Sequence, residues 1–383
     1  GWRWLRIAEW TPVKRISLKE VAQNAAVSLS TASLALRDSP KVTEETRKRI
    51  QSIAEELGYR PSFVARRLSS GRSRVLGLVL RPMPSELGME VLYGVAQHTS
   101  SRGFTLLIEH TDGRYEQELQ AVRRLMNEHV DGVLLQSAVR DEDPQHLLEL
   151  VKRGTPIVQM GMRAPGIESD YVAYDNRGGA RRLVQYLLDR GHRRIACLSN
   201  ASGRRDLAER IEGYQLVLTE AGIKLEPGLV AVDAFADVME PHGETCGSYG
   251  PLAERPHWPD VKAALRSNQH QTLTTMRRWF KSSSPPTAVF AAHRGAIASV
   301  LWGLRTLNLS VPNDVSLVAF DELPYLPALG FEVTTMIQLG FELGYEAARL
   351  LVDRIEGSAL GGFRSVRFQP QFVEGNSVRR LTA

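Results

Sequence analysis

Apolar positions in the first seventy-odd residues recur at helical spacing. From Val75 onward they gather instead into short unbroken runs, and this change of period divides the chain. Leu18, Val21, Ala22 and Ala25 follow Ser17-Leu18-Lys19-Glu20, a capping box with Ser17 at the cap and Glu20 at the third helical position. After a break at Ala26-Val27, Ser28 is placed to cap a second helix, Leu29 to Leu36. Thr43 is placed to cap a third, in which Ile50, Ile53, Ala54 and Leu57 make one stripe, and Gly58 supplies a left-handed stop. Three short helices with a tight turn between the first two predict a helix-turn-helix, whose second helix lays its early side chains in the major groove. The expected exposed readers are Leu29, Ser30, Ser33 and Leu34, with Ser17, Ser28 and Thr31 beside them. A protein-interaction module is the alternative for any three-helix unit.

Beyond Val75 the runs Val75–Leu80, Phe104–Ile108, Gly132–Leu135, Pro156–Met160, Ile195–Ser199, Thr287–Ala292 and Ser316–Phe320 alternate with amphipathic helical stretches. Continuous rather than alternating apolar strands mark parallel sheets covered on both faces. Strand–helix–strand repetition predicts doubly wound α/β units, and the number of strands predicts two of them.

Charge sharpens this division. Residues 13–74 hold 13 Lys and Arg against 6 Asp and Glu, so the chain's net charge of +5 comes entirely from its N-terminal end. A basic end on an acidic body points to nucleic acid. Within it, RPSFVARRLSSGRS (residues 60–73) reads as a short helix that opens at Pro61 and ends at Ser69-Ser70-Gly71. It is too short to be stable alone, and Leu68 on it can wedge between base steps. The two cysteines, Cys197 and Cys246, form no disulfide framework, and no run reaches the roughly 18–20 apolar residues of a membrane span. A secretory leader pattern is absent, so the expected location is the cytoplasm, at the nucleoid. Residues 1–12, GWRWLRIAEWTP, fit no element, and Val13 reads as the natural beginning.

The runs ISLKEVAQNAAVSLSTASLAL and VTEETRKRIQSIAEELGYRPSFVARRLSSGRS closely resemble the headpiece and hinge of the lactose-repressor (LacI/GalR) family. In the same order follow VDGVLLQ, VAYDNRGGARRLVQYLLDRGHRRIACLSN, AERIEGY, PPTAVFAA, VPNDVSLVAFDELP and LLVDRIEG. The resemblance implies an all-α helix-turn-helix headpiece joined to a two-lobed type I periplasmic-binding-protein-like α/β core with Rossmann-like lobes and a ligand cleft between them. The implied layout is a headpiece at 13–60, a hinge at 61–73 and an effector-binding and dimerisation domain at 74–383. Lobe 1 would take 74–173 and 311–340, and lobe 2 would take 174–310 and 341–383, with an insertion at 239–270. A shorter insertion is expected at 330–333.

The resemblance also implies roles. Leu68 would be the leucine levered into the minor groove, Ala65 its small neighbour at the hinge pairing, and Arg60 and Arg66 its charged flanks. Leu29, Ser30 and Leu34 fall where the family reads bases. Leu34 departs from the usual Arg or His and can touch only a thymine methyl, and Ala26 replaces the usual turn Gly or Asn. For the effector, Arg210 in AERIEGY matches the arginine that reaches the ligand, with a structural arginine as the alternative. Arg204, Arg81, Ser85, Leu87 and Phe235 complete the set. His293 stands where an aspartate is usual, and Leu87-Gly88 replaces an aromatic pair.

The implied protein is a homodimeric regulator, a repressor, on a palindromic DNA operator, controlled by a sugar or sugar derivative, with an acidic effector as the variant that His293 and its arginine neighbours suggest. No cofactor, metal or membrane partner is expected. His242, Cys246, His257 and Asp260 lack compact metal spacing. No nucleophile elbow, P-loop or glycine fingerprint argues for an enzyme. A solute-binding protein of the same core, or a DNA binder without a ligand switch, are the rival readings. If Val13 is the beginning, mass spectrometry of the native N-terminus yields no peptide containing Trp4.

Overall fold

The computed structural model describes residues 16–59, 72–81, 86–111, 113–139, 143–200, 205–233, 259–359 and 361–381, which fall in two compact units, Gly1–Ser73 and Arg74–Ala383.

In the first unit, helices α1 (Leu18–Asn24), α2 (Leu29–Ala35) and α3 (Glu44–Glu56) begin at the expected caps. Ser17 Oγ accepts the Glu20 amide at 3.3 Å while the Glu20 carboxylate accepts the Ser17 amide at 2.7 Å, so both halves of the capping box are made. Ser28 and Thr43 accept from Thr31 and Thr46 at 3.1 and 3.4 Å. The core is built largely from small side chains: Val21, Ala22, Ala25, Ala32, Ala35, Ile50 and Ala54 are buried together. Alanines let short helices approach closely, and the three helices have little length with which to bury anything larger.

Both α1 and α3 end in the same motif. Tyr59 N bonds Ala54 O and Gly58 N bonds Glu55 O, with Gly58 at φ +67°; Val27 N bonds Ala22 O and Ala26 N bonds Gln23 O, with Ala26 at φ +50°. This is the Schellman stop, whose left-handed residue is normally glycine. At Ala26 an alanine holds that conformation at the turn of the helix-turn-helix.

The second unit contains two six-stranded sheets. The first has the order β11-β5-β4-β3-β1-β2, all parallel, from β1 (Val75–Leu80), β2 (Thr105–His110), β3 (Gly132–Leu135), β4 (Ile157–Met160), β5 (Asp170–Tyr174) and β11 (Ser365–Phe368). The second has the order β12-β10-β9-β8-β6-β7, from β6 (Ile195–Asn200), β7 (Val230–Asp233), β8 (Ala288–Ala291), β9 (Ser316–Phe320), β10 (Thr334–Ile337) and β12 (Gln371–Val373), with only the β10–β12 pair antiparallel. Successive residues of β1 serve opposite cores. Leu76, Leu78 and Leu80 pack under α4 (Glu86–Ser101) and α11 (Gly340–Glu356), and Val75 and Val79 under α5 (Tyr115–Asn127) and α6 (Gln145–Lys152). The second sheet is likewise covered by α7 (Asn176–Asp189) and α8 (Arg205–Glu220) on one face and by α9 (Pro259–Phe280) and α10 (Arg294–Thr306) on the other.

The expected lobe boundaries need correction. Residues 316–320 and 334–337, expected in lobe 1, pair with β8 and with each other in the second sheet, whereas α11 and β11, expected in lobe 2, belong to the first. The chain therefore crosses between lobes after β5, between β10 and α11, and between β11 and β12. An apolar parallel strand carries no mark of the sheet it joins; that is decided by which edge is free when it folds back. Of the expected insertion, residues 239–258 lie outside the described residues and those from Pro259 on begin α9.

Two glycines set the α4–α11 contact. A Cβ on Gly94 would lie 2.1 Å from Phe341 O, and one on Gly344 2.1 Å from Val91 O, so the two backbones touch. At the far side of this lobe Asp170, fully buried, takes a bidentate pair from Arg354 at 2.6 and 2.9 Å and the Arg364 amide at 2.6 Å. Burial alone would push its carboxyl up, but these donors outweigh it and hold the pKa below the ordinary value.

Ala26→Gly should stabilise the headpiece by up to about 1 kcal/mol, the left-handed strain relieved exceeding the entropy lost. Slower amide exchange across α1 and α2 of the full chain would show this, and faster exchange would refute it. Asp170→Asn should cost about 3–5 kcal/mol near neutral pH, since it strands Arg354. Because the folded pKa lies below the unfolded one, this stabilisation is present above about pH 4 and is lost as pH falls through the folded value. Urea melts at pH 7 and pH 3 should therefore show the wild-type advantage shrinking on acidification.

Candidate DNA-reading helix and ligand constellation

The second helix of the headpiece presents its first turn outward. Leu29 is 53% exposed and Ser30 is exposed, so both face away from the headpiece core. The neighbouring hydroxyls have local duties: Ser28 Oγ lies 2.8 Å from Thr31 Oγ1, Ser17 Oγ donates to Glu20 at 2.9 Å, and Ser33 Oγ accepts from Arg37 Nη2 at 2.6 Å. Leu34 corrects the expectation of an exposed reader. It is half-buried and packs against the headpiece core, because its position flanks the buried Ala32–Ala35 stripe. A residue divided between core and surface explains why leucine is accommodated there. The hinge residues Arg60, Ala65, Arg66 and Leu68 lie outside the described residues.

In the core, parallel strands deliver polar residues at their carboxyl ends, the usual place for a ligand in α/β folds. Two strand ends of the second lobe, those of β8 and β9, and the end of β5 from the first converge on Arg210 of α8. Its Nε donates to Asn176 Oδ1 at 2.9 Å, just past β5, and its Nη1 donates to Ala292 O at 2.8 Å, just past β8. Nη1 also reaches Asp321 Oδ2 at 3.3 Å, immediately after β9, while the guanidinium carbon lies 3.7 Å over the Phe320 ring. Arg210 is 1% exposed, and a charge so buried persists only when paired this fully. Asp321 holds φ +71°; its Oδ1 accepts from Gln338 at 2.7 Å and its backbone carbonyl from Thr335. His293 follows Ala292 at the N-cap of α10 and is buried.

From the first lobe, Arg81 follows β1 and is half-buried; its amide donates to Gln136 Oε1 at 3.3 Å and its guanidinium to Met162 Sδ at 2.9 Å. Leu87 lies in the first turn of α4, its carbonyl 2.7 Å from where a Cβ on Gly340 would sit. Ser85, Arg204 and Phe235 are outside the described residues. Asp321, Asn176 and Gln338 were not anticipated. Asp321 could have been found as the first polar residue after the apolar run Ser316–Phe320, whereas Gln338 carries no signal because its role depends on a crossover invisible in the sequence. Together these groups supply a guanidinium, a carboxylate and amides, which suits a ligand that both donates and accepts hydrogen bonds. Among the described residues no group of three or more His, Cys, Asp or Glu could hold a metal ion, and no helix is long and apolar enough to cross a membrane.

Comparison with known proteins agrees with this layout. Residues 17–62 match the bacterial regulatory proteins of the lacI family, residues 73–234 the periplasmic binding proteins and sugar binding domain of the LacI family, and residues 184–378 the periplasmic binding protein-like domain. The HTH-type transcriptional repressor PurR of Vibrio campbellii is 27% identical over 365 residues, covering 95% of this chain and 99% of its own. The HTH-type transcriptional repressor CytR of Escherichia coli is 26% identical over 345 residues, 90% of this chain and 91% of its own. Among solved structures, the lac repressor dimer bound to operator and the anti-inducer ONPF superposes with TM-score 0.75 at 19% identity over 96% of this chain and all of that one. The complex of the transcriptional regulator CelR with cellobiose gives 0.63 at 27% identity over 95% of this chain and 100% of that one. With a helix-turn-helix headpiece on a two-lobed periplasmic-binding-protein-like core, the chain belongs to the lacI family of bacterial regulatory proteins.

Proposed function

We propose that this protein is a transcriptional repressor that binds a palindromic operator as a homodimer and is controlled by a carbohydrate or sugar derivative held between its lobes. The observation that carries the reading is the union of two devices in one chain: a capped helix-turn-helix with Leu29 and Ser30 exposed at the start of its second helix, and a core whose strand ends converge on Arg210. The repressor names of its relatives, and the cellobiose bound to one of them, support the same reading. Among the described residues each sheet has an edge strand, β2 or β7, that displays one well-exposed apolar side chain, Ile108 or Val232, 46% exposed each. Open edges with apolar side chains favour pairing with a second copy. Symmetric half-sites then follow from a symmetric dimer. A ligand hydroxyl group that accepts from Arg210 and donates to Asp321 would replace one of the arginine's present acceptors, and polyols fit that exchange. An acidic sugar derivative is the second reading, favoured by His293 and Arg294 at the N-terminus of the thirteen-residue α10.

Selection from a random duplex pool should enrich two inverted half-sites. Leu68→Ser should weaken the selected duplex roughly tenfold or more through loss of the wedge, leaving low-salt non-specific binding unchanged. Unchanged specific affinity would overturn the hinge assignment.

In a thermal-shift screen of sugars and sugar acids, a ligand at a hundredfold excess over its Kd should stabilise the core by about 2.7 kcal/mol. His293→Ala should reduce that shift with the fold intact. Arg210→Ala should abolish it and also cost about 3–5 kcal/mol of stability, because Asp321 loses its partner. A full shift retained in both variants would remove the ligand site from this constellation.

A further inference from the structure

We propose that the first lobe carries a second small-molecule site, built from other residues than the Arg210 constellation: a cavity between α5 and α6 that takes a small hydroxylated organic anion, a hydroxy acid or a phosphorylated polyol. The inference stands apart from the repressor reading and needs neither operator nor effector.

The two helices present facing stripes. Tyr115, Leu119 and Arg123 recur every fourth residue on α5, and His146, Glu149 and Lys152 every third on α6, so each set lies along one side of its helix. All six line a cavity of about 330 Å³, at the small end for a ligand pocket and sized for a compact metabolite. Its rim is cationic. Arg124 and Arg153, the next residues along, are spent on Glu109 and Glu149 at 2.6 and 2.7 Å. Arg123 and Lys152 are exposed, and among the described residues neither is in an ion pair. The one carboxylate among the lining residues, that of Glu149, is the one that receives Arg153. A guanidinium and an ammonium left open on one rim suit the oxygens of a carboxylate or phosphate.

The inner wall supplies an independent observation. His146 is 3% exposed, and its ring stands edge-on to Tyr115 with the centroids 5.4 Å apart. Its Nε2 lies 2.8 Å from Oε1 of the fully buried Glu118, which also receives Ser137 Oγ at 3.3 Å and the Ala138 amide. An ionised carboxylate only accepts, so the Nε2–H of His146 donates to it, and Nδ1 of the neutral ring is left as an acceptor. That Nδ1 is buried and has no partner. A buried polar atom without a partner calls for an explanation, and in a residue that lines a cavity the fitting one is a ligand donor. The rim thus asks for an oxyanion and the wall for a hydroxyl, with the Leu119 side chain and the Tyr115 ring beside the carbon skeleton that joins them.

Calorimetric titration of the full-length protein at fixed ionic strength tests this, with malate against succinate and glycerol phosphate against inorganic phosphate as probes. Malate or glycerol phosphate should saturate one site per chain, about threefold to tenfold tighter than its counterpart without the hydroxyl. Whichever of the two binds tighter identifies the oxyanion as carboxylate or phosphate. Arg123→Gln and Lys152→Gln, at exposed positions outside the core, should each weaken binding about threefold to tenfold. The His146 Nδ1 resonance of isotope-labelled protein should move with the same saturation, and His293→Ala should leave the affinity unchanged. No saturation above a sodium chloride blank, or equal affinity with and without the hydroxyl, overturns the site. Binding lost in His293→Ala but kept in Arg123→Gln and Lys152→Gln also overturns it, because the anion then sits in the interlobe constellation and the repressor reading stands.

Discussion

A parallel strand cannot return to its neighbour through a hairpin, so each strand of the two sheets needs a long crossover, and the helices in those crossovers cover both sheet faces. This constraint shapes the core unit. It makes the strands continuous in apolar residues, as in Val75–Leu80, where every position is buried. It sends all carboxyl ends of a sheet to one side, so polar residues that follow the strands collect there without being neighbours in sequence. Ala292 and Asp321, after β8 and β9 of the second sheet, meet on Arg210 for this reason, and Asn176 joins them from the start of α7, where the chain crosses over from β5.

Buried charge is spent sparingly and always with partners. Asp170 is held by Arg354 and the Arg364 amide where β5 and β11 begin, and Arg210 by three acceptors where β5, β8 and β9 end. Glu118 is fully buried on the flank of the first lobe and receives Ser137, the Ala138 amide and His146. Each such site fixes one relation between elements, since removing a partner leaves an uncompensated charge. The first joins β5 to α11 and β11, the second joins α8 to three strand ends, and the third joins α5 to α6 and to the residues after β3.

The headpiece obeys a different economy. Its helices are of 7, 7 and 13 residues and cannot stand alone. Its alanine-rich core contributes modestly, and the caps at Ser17, Ser28 and Thr43 satisfy amides that would otherwise be exposed at helix starts. A reading helix of two turns has few positions to share, so Leu34 serves the core while Leu29 and Ser30 face outward.

The helix starts, the stop at Gly58 and most strands of the first sheet were legible in the residues, because caps, left-handed turns and apolar period act over a few positions of chain. The resemblance marked Ala26 as a departure from the usual turn Gly or Asn, and its φ of +50° is the physical content of that irregularity. Arg210 and His293 were singled out through the family resemblance of the segments that surround them, and the structure adds that both are buried. The lobe to which β9, β10 and α11 belong was not legible, nor were Asp321 and Gln338 as partners of Arg210. Sheet membership is decided by strand pairing that no local pattern records, whether near in sequence, as Ala288 with Ser316, or far, as Tyr171 with Ser365, and a side chain's partner by which strand ends arrive beside it. Local chemistry wrote the elements of this protein into its sequence; long-range pairing, with loop closure as its cost, left their assembly to the tertiary structure.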